Sequence, residues 1–215
     1  MTVRRVFLVG ASGVGKSFLA QNVAPLIGVP YFAVSASEGF THHGTTPEAA
    51  MRDAPLMARV QNRIADYTGE RLEELARRRD GYVTDRAFDL SVYGALLGFP
   101  HPKPKVTRVL NAMNAPAAPG TRLAVTVVFI RPEVELTKRA RADDGGRRSE
   151  FLTNSWILRL DGALCHFLRA NFIPHHELPG GMLDIRERMR WVRDAVEATQ
   201  PGEVSGWLDP DGARW

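Results

Sequence analysis

Eight residues near the start of the chain combine the glycines, the lysine and the serine that can hold the phosphates of a nucleotide. The segment Gly10-Ala11-Ser12-Gly13-Val14-Gly15-Lys16-Ser17 fits the pattern G-x-x-x-x-G-K-[ST] at every defined position. In this pattern the glycines turn backbone N–H groups toward the β-phosphate, the lysine reaches the β- and γ-phosphates, and the serine hydroxyl ligates Mg²⁺. We therefore expect the segment, here named the phosphate loop, to bind ATP and Mg²⁺. Its predicted binding residues are Gly10, Ser12, Gly13, Val14, Gly15, Lys16 and Ser17, the last also as a metal ligand.

The residues on either side of the phosphate loop have the patterns of a strand and a helix. The run Val6-Phe7-Leu8-Val9 is apolar and rich in strand formers, and Leu19 and Val23 follow the loop at helical spacing. A chance match in a tight turn is the alternative. The strand–loop–helix context argues against it, because the helix N-terminus adds the partial positive charge that a phosphate site uses.

A second charged pair, Asp85-Arg86, follows the predicted strand Tyr82-Val83-Thr84. An acid at the tip of a strand, in a chain with a phosphate loop, can orient Mg²⁺ together with Ser17 or bind an acceptor. Arg86 can clamp a phosphate. A structural ion pair at the strand end is the alternative.

Glu38 follows the second predicted strand, residues 30–35. In a parallel sheet, that end of the strand faces the ligand crevice. Glu38 is therefore a candidate for substrate contact or for a general base, and a solvated loop acid is the alternative. The neighbouring pair His42-His43 lacks the spacing and the partners of a metal site.

A third cluster of charge lies after the fourth predicted strand. The acidic and glycine-rich turn Asp143-Asp144-Gly145-Gly146 is flanked by arginines. We expect a lid over residues 139–150 that supplies cations to the transferring group. A solvated basic helix end is the alternative. The arginines expected to act there are Arg139, Arg141, Arg147 and Arg148.

The elements that position these residues alternate between strand and helix over a length that suits one α/β domain, residues 1–215. The segment Leu123–Ile130 is almost continuously apolar, as a central parallel strand should be. Residues 98–121 are dense in proline, so we expect a stiff connector or surface loop with a short helical patch at 106–113. The tail, residues 201–215, is expected to pack loosely.

Charge and composition say more about the compartment and the class of partners of the protein than about its reaction. The net charge is +4, carried mostly by arginine, which fits partners with phosphate or carboxylate groups but does not separate metabolites from nucleic acid. The lone Cys165 excludes an internal disulfide and suits the cytoplasm. No run approaches the length of a membrane span, and the N-terminus leads directly into the first strand without the pattern of a signal peptide.

Together these features resemble the P-loop nucleoside and nucleotide kinases, most closely the thymidylate-kinase and phage deoxynucleotide-kinase branch, with similarity to ribosylnicotinamide kinases. The resemblance spans residues 4–198 and rests on the phosphate loop, on Thr84-Asp85-Arg86 and on the lid motif of residues 141–148. It implies a three-layer α/β sandwich whose five-stranded parallel sheet has the order 2-3-1-4-5. It also implies ATP and Mg²⁺ as cofactors and a small-molecule acceptor, and it leaves a homodimer open. Ser37-Glu38-Gly39 stands where thymidylate kinases have Arg-Glu-Pro, so the acceptor is not fixed by the resemblance.

The sequence therefore favours phosphoryl transfer from ATP to a deoxynucleoside monophosphate or a close analogue, with Arg86 on the acceptor phosphate. One alternative is a hydroxyl acceptor, on a nucleoside or on a modified base in DNA, with Glu38 or Asp85 as general base. A non-catalytic ATP-binding regulator is the other. A GTPase is disfavoured by the lack of an Asn-Lys-x-Asp motif, and an AAA-type ATPase by the arginine that follows Asp85 where such proteins usually carry Glu.

Overall fold

Five parallel strands form the centre of the structure, a computed structural model that describes residues 2–133, 154–182 and 184–202. In the described residues the sheet has the order β2-β3-β1-β4-β5, which confirms the order implied by the resemblance. The strands are β1 (Thr2–Gly10), β2 (Tyr31–Phe32), β3 (Tyr82–Thr84), β4 (Arg122–Ile130) and β5 (His176–Leu178).

Helices cover both faces of this sheet. They are α1 (Lys16–Leu26), α2 (Ser37–His42), α3 (Pro47–Met51), α4 (Ala54–Ala76), α5 (Asp89–Leu96), α6 (Lys103–Asn114), α7 (Asn154–Ala170) and α8 (Ile185–Ala198). α1 packs against α8, α5 against α7, and α4 against both α2 and α6. Within the described residues, no helix has both the length and the apolar composition needed to cross a lipid bilayer.

The core lies between the helices and the two central strands. Val6–Val9 of β1 and Val127–Ile130 of β4 are buried, because a central parallel strand is covered on both faces. β1 pairs with β3 on one side and with β4 on the other. This order brings the phosphate loop, at the carboxyl end of β1, next to the residues that follow β3.

A buried arginine closes the opposite end of this core. Arg5 on β1 is fully buried, and its guanidinium donates to the carbonyl oxygens of Ala76 at 2.7 Å, Met113 at 3.2 Å and Ala115 at 2.6 Å. These carbonyls lie at the C-terminal ends of α4 and α6, where the last turn of a helix leaves acceptors without intrahelical partners. Arg5 therefore supplies hydrogen-bond donors, from within the sheet, to the carbonyl oxygens at the C-terminal ends of two helices.

The structure corrects the expectation for residues 98–121. Lys103–Asn114 form a twelve-residue helix that buries Val106, Leu110 and Met113 against α4, so this segment builds core rather than a surface connector. Pro102 and Pro104 are compatible with the helix because they precede it or lie in its first turn, where an N–H has no intrahelical acceptor.

The second strand is also shorter than expected. β2 covers only Tyr31–Phe32, and Glu38, which the sequence places at the end of this strand, lies in the first turn of α2. The predicted lid, residues 139–150, lies outside the described residues, as does most of the tail, residues 203–215.

Candidate active site

The phosphate loop joins β1 to α1 through a backbone that glycine alone adopts without strain. Gly13 and Gly15 each have φ near 84°, and a Cβ at Gly10 would lie 2.6 Å from the carbonyl oxygen of Ile130. The N-cap residue of α1 is Gly15, which has no side chain to accept from the first N–H groups of the helix. The N-terminus of α1 is thereby suited to receive an anion.

Lys16 lies across the inside of the loop and is 4% exposed. Its ammonium donates to the carbonyl oxygens of Gly10 and Ala11, both at 2.7 Å. Burial lowers the pKa of Lys16 well below its usual range and the charge of Arg86 lowers it further, whereas Asp89 and Asp85 oppose the shift. A bound phosphate would favour the charged form of this lysine.

Ser17 and Asp85 converge directly, as the sheet order requires. The Ser17 hydroxyl donates to Oδ2 of Asp85, and the backbone N–H of Val34 donates to Oδ1 at 3.3 Å. Burial, together with the charge of Asp85 and a hydrogen bond to it, raises the pKa of Tyr31 to about 12, so the phenol beside this carboxylate stays protonated. Ser17 and Val34 thus hold both oxygens of Asp85.

This pair fits Mg²⁺. The ion prefers hard oxygen ligands and is commonly held by one or two protein oxygens, with water and substrate phosphates completing its shell. Within the described residues there is no cluster of three or more His, Cys, Asp or Glu side chains that could enclose a metal without such help. Ser17 and Asp85 would hold the ion, which would neutralise charge on the phosphates.

Arg86 is fixed by a residue that the sequence analysis did not single out. Its Nη1 lies 3.0 Å from Oδ2 of Asp89, whose side chain is 1% exposed, while that of Arg86 is 23% exposed. The other carboxylate oxygen of Asp89 accepts the backbone N–H of Ala87 at 2.7 Å. The guanidinium is therefore anchored at one end and open at the other.

A cavity of about 210 Å³ lies next to these groups. It is here named the acceptor pocket, and Ser12 of the phosphate loop and Arg86 bring polar atoms to it. Its other lining residues, mostly apolar, are Ala36, Phe40, Pro47, Met51, Met57, Leu90, Tyr93 and Leu97. Pockets lined by apolar and aromatic side chains with a few placed polar groups are typical of small-molecule sites.

Two comparisons of the sequence with known proteins match parts of this chain. A family model described as an AAA domain of the dynein-related subfamily matches residues 5–76, about a third of the chain. The ATP-dependent protease ATPase subunit HslU of Caldicellulosiruptor saccharolyticus is 29% identical over 122 residues, which are 50% of this chain and 25% of that protein. The chain thus spans about a quarter of the length of this curated relative.

Solved structures match over nearly the whole chain. Deoxyadenosine kinase from M. mycoides, with dCMP and dCDP bound, superposes with a TM-score of 0.61 at 15% identity, covering 92% of this chain and 100% of that one. Shikimate kinase from Acinetobacter baumannii gives a TM-score of 0.54 at 14% identity, covering 91% and 94%. The chain has the P-loop kinase fold.

Within this P-loop kinase fold, the structure brings together four of the predicted site residues, Lys16, Ser17, Asp85 and Arg86. It does not bring Glu38 into the lining of the acceptor pocket, although Ala36 and Phe40 on either side of Glu38 line it. Glu38 is half-buried on α2. Its role as a base stays a prediction, as do the lid roles of Arg139, Arg141, Arg147 and Arg148, which lie outside the described residues.

Sequence reasoning missed two residues of the candidate site. Asp89 is recognisable only from its spacing of three residues from Arg86. Arg188 on α8 donates to the carbonyl oxygen of Val14 at 2.9 Å, across 174 residues of sequence, so no local pattern could have identified it.

Proposed function

We propose that the protein transfers the γ-phosphoryl group of MgATP to a deoxynucleoside monophosphate or a close analogue. The observation that carries this proposal is Arg86, which lines the acceptor pocket while Asp89 holds it in place. In phosphoryl transfer the protein contributes positioning and electrostatic stabilisation more than covalent chemistry. Lys16, the Ser17–Asp85 pair and Arg86 supply these along one edge of the sheet.

Each residue has a distinct part in the proposed reaction. The phosphate loop and Lys16 hold the β- and γ-phosphates of the donor. Ser17 and Asp85 hold Mg²⁺, and Arg86 binds the acceptor phosphate where it meets the γ-phosphate. The apolar walls of the acceptor pocket, Phe40 and Tyr93 among them, take the base and exclude water.

A hydroxyl acceptor is the second candidate, and the names of the structural neighbours favour it. Deoxyadenosine kinase and shikimate kinase are named for acceptors without a phosphate group. Such an acceptor gains from a carboxylate that takes its proton. Against it, Asp85 is engaged by the donors Ser17 and Val34, and Glu38 does not line the acceptor pocket. Both observations favour an acceptor that is already anionic.

An acceptor screen tests this proposal. Wild-type protein is incubated with γ-labelled ATP and Mg²⁺ in the presence of deoxynucleosides, deoxynucleoside monophosphates or DNA with modified bases. We expect label in a diphosphate product. In the Arg86→Met variant, KM for the monophosphate should rise at least about tenfold while KM for ATP changes little, since a charge-assisted hydrogen bond contributes about 1.5–3 kcal/mol.

The matched control is Arg79→Met. It removes the charge of an exposed arginine that does not belong to the site. Label transferred to nucleosides or DNA but not to monophosphates would replace the first candidate by the second. In that case Asp85→Asn and Glu38→Gln identify the base.

A further inference from the structure

Arg188 contacts the phosphate loop from the side of α8. Its Nη2 donates to the carbonyl oxygen of Val14 at 2.9 Å, and its Nη1 lies 3.6 Å from the position that a Cβ would occupy on Gly15. α8 packs against α1, the helix that the loop opens. The guanidinium therefore touches the peptide that joins Val14 to Gly15, immediately before Lys16.

The charge of Arg188 is only partly compensated. Burial lowers its pKa, no carboxylate in the described part of the chain opposes that shift, and its buried Nε has no hydrogen-bond partner there. Burying a cation without an anion costs free energy. By contrast, Arg86 and Arg131 have carboxylate partners. The buried Arg5 has none, but its guanidinium donates to three carbonyl oxygens, whereas in the described residues Arg188 donates to the carbonyl oxygen of Val14.

The contact determines the direction of one backbone donor. The described residues contain no cis peptide bond, so the C=O of Val14 and the N–H of Gly15 point in opposite directions. Because the carbonyl faces Arg188, the N–H of Gly15 faces away from α8. Gly15 also has φ near 84°, a conformation that only glycine adopts easily. A cation on the carbonyl also polarises the peptide and strengthens its N–H as a donor.

We propose that Arg188 is a positioning residue for the donor phosphates. It holds the Val14–Gly15 peptide so that the N–H of Gly15 addresses the phosphate, and its positive charge adds to the attraction of the loop for an anion. This inference rests on the proposed function, because it assigns the phosphate loop a triphosphate ligand. It goes further in making α8, near the far end of the described chain, part of the donor site.

The test measures binding of two probes, inorganic tripolyphosphate and MgATP, by isothermal titration calorimetry. Arg188→Met removes the charge and the donor and keeps much of the apolar stem. We expect it to weaken both probes about tenfold, or 1.4 kcal/mol, with acceptor KM unchanged. Arg188→Lys keeps a cationic donor and should recover part of that loss. The control is Arg190→Met, an exposed arginine on the same helix whose recorded contact is a 3.4 Å bond to the Arg186 carbonyl.

An NMR readout separates positioning from simple packing. In the wild type, tripolyphosphate should move the Gly15 amide proton downfield, as a new hydrogen bond to a phosphate oxygen requires. In Arg188→Met the shift should be smaller at saturating ligand. If circular dichroism shows that Arg188→Met does not fold, the Gly15 amide shift is compared in Arg188→Lys and Arg188→Gln instead. Lys keeps a cationic donor, whereas Gln keeps a neutral one.

The outcomes distinguish the two proposals. If the wild type binds MgATP but the Arg188 variants bind both probes with wild-type affinity, this inference is wrong and the proposed function stands. If the wild type binds neither probe, the proposed function fails and this inference fails with it.

Discussion

Arg86 and Asp89 form an ion pair of 3.0 Å in which the carboxylate is buried and the guanidinium remains partly open to the acceptor pocket. The carboxylate also accepts the N–H of Ala87, so it is fixed to the backbone that follows β3. A cation held from behind in this way can meet an incoming phosphate with little loss of side-chain entropy. We therefore expect that the contact with Asp89 positions Arg86 for the acceptor phosphate.

Asp89→Asn tests this link. The amide cannot pair with the charge of Arg86, which should then sample other rotamers, so acceptor KM should rise several-fold while ATP affinity changes little. The variant should also lose about 1–3 kcal/mol of unfolding free energy, since a buried charged hydrogen bond is lost. Steady-state kinetics and urea unfolding measure the two effects. Unchanged acceptor KM would show that Asp89 only stabilises the fold.

From the lowered pKa of Lys16 we predict that ATP binding takes up a proton. Its pKa is lowered in the free protein, and bound phosphates raise it, so binding takes up a proton between those two values. ATP affinity should therefore fall as the pH rises through that window. Calorimetry over a series of pH values, in buffers of different ionisation enthalpy, measures the uptake. Lys16→Arg, whose guanidinium stays charged, is the control. Equal proton uptake in both proteins would contradict this origin.

His101 predicts acid sensitivity of the fold. It is buried between the Ser91 hydroxyl at 3.0 Å and Oε1 of Gln61 at 3.2 Å. Burial, with a smaller contribution from Lys105 and opposed by Asp66, lowers its pKa from 6.5 to about 4. The unfolded chain therefore binds a proton that the folded chain resists.

Because the unfolded chain binds this proton more readily than the folded chain, the free energy of unfolding should fall as the pH falls. As the pH falls from about 6.5 to about 4, the free energy of unfolding should drop by about 3 kcal/mol on account of His101. Urea unfolding of the wild type and of His101→Gln over that range measures the difference. The stability advantage of the wild type should shrink with falling pH, and a constant difference would contradict the assignment.

Arg5 predicts a large effect on stability far from the site. Arg5→Met leaves the carbonyls of Ala76, Met113 and Ala115 without their donor. We expect a loss of about 3 kcal/mol or more, since each buried acceptor left unpaired costs about 1–3 kcal/mol. Arg4→Met, at the exposed neighbouring position, should change stability little. Equal stabilities of the two variants in urea would contradict the helix-capping role.

The part of the site that the sequence predicts is the part encoded locally. The phosphate loop is contiguous, and Asp85 is recognisable because a parallel sheet gathers its strand ends at one edge. Local patterns do not reveal contacts between distant segments. Arg188 reaches Val14 across the fold, and the partner of Arg86 is an aspartate at the start of an otherwise apolar helix.

Two errors in the sequence analysis have physical causes. The prolines before α6 suggested a connector, yet at the start of a helix they remove no hydrogen bond, and the buried face from Val106 to Met113 decides the structure. The second error is the length of β2, which the sequence predicts over residues 30–35 and which covers only Tyr31–Phe32. A two-residue edge strand depends on its pairing with β3 more than on its own composition.

The fate of the γ-phosphate tests the central claim most directly, because it separates a kinase from the AAA-type ATPases whose model matches residues 5–76. Wild-type protein and Lys16→Ala are given γ-labelled ATP, Mg²⁺ and a mixture of deoxynucleosides and their monophosphates, and the labelled products are separated by chromatography. We predict label in a nucleotide product, formed on the order of 10²-fold more slowly by Lys16→Ala. Label found only in inorganic phosphate, ATP bound without turnover, or an unchanged rate in Lys16→Ala would contradict the account.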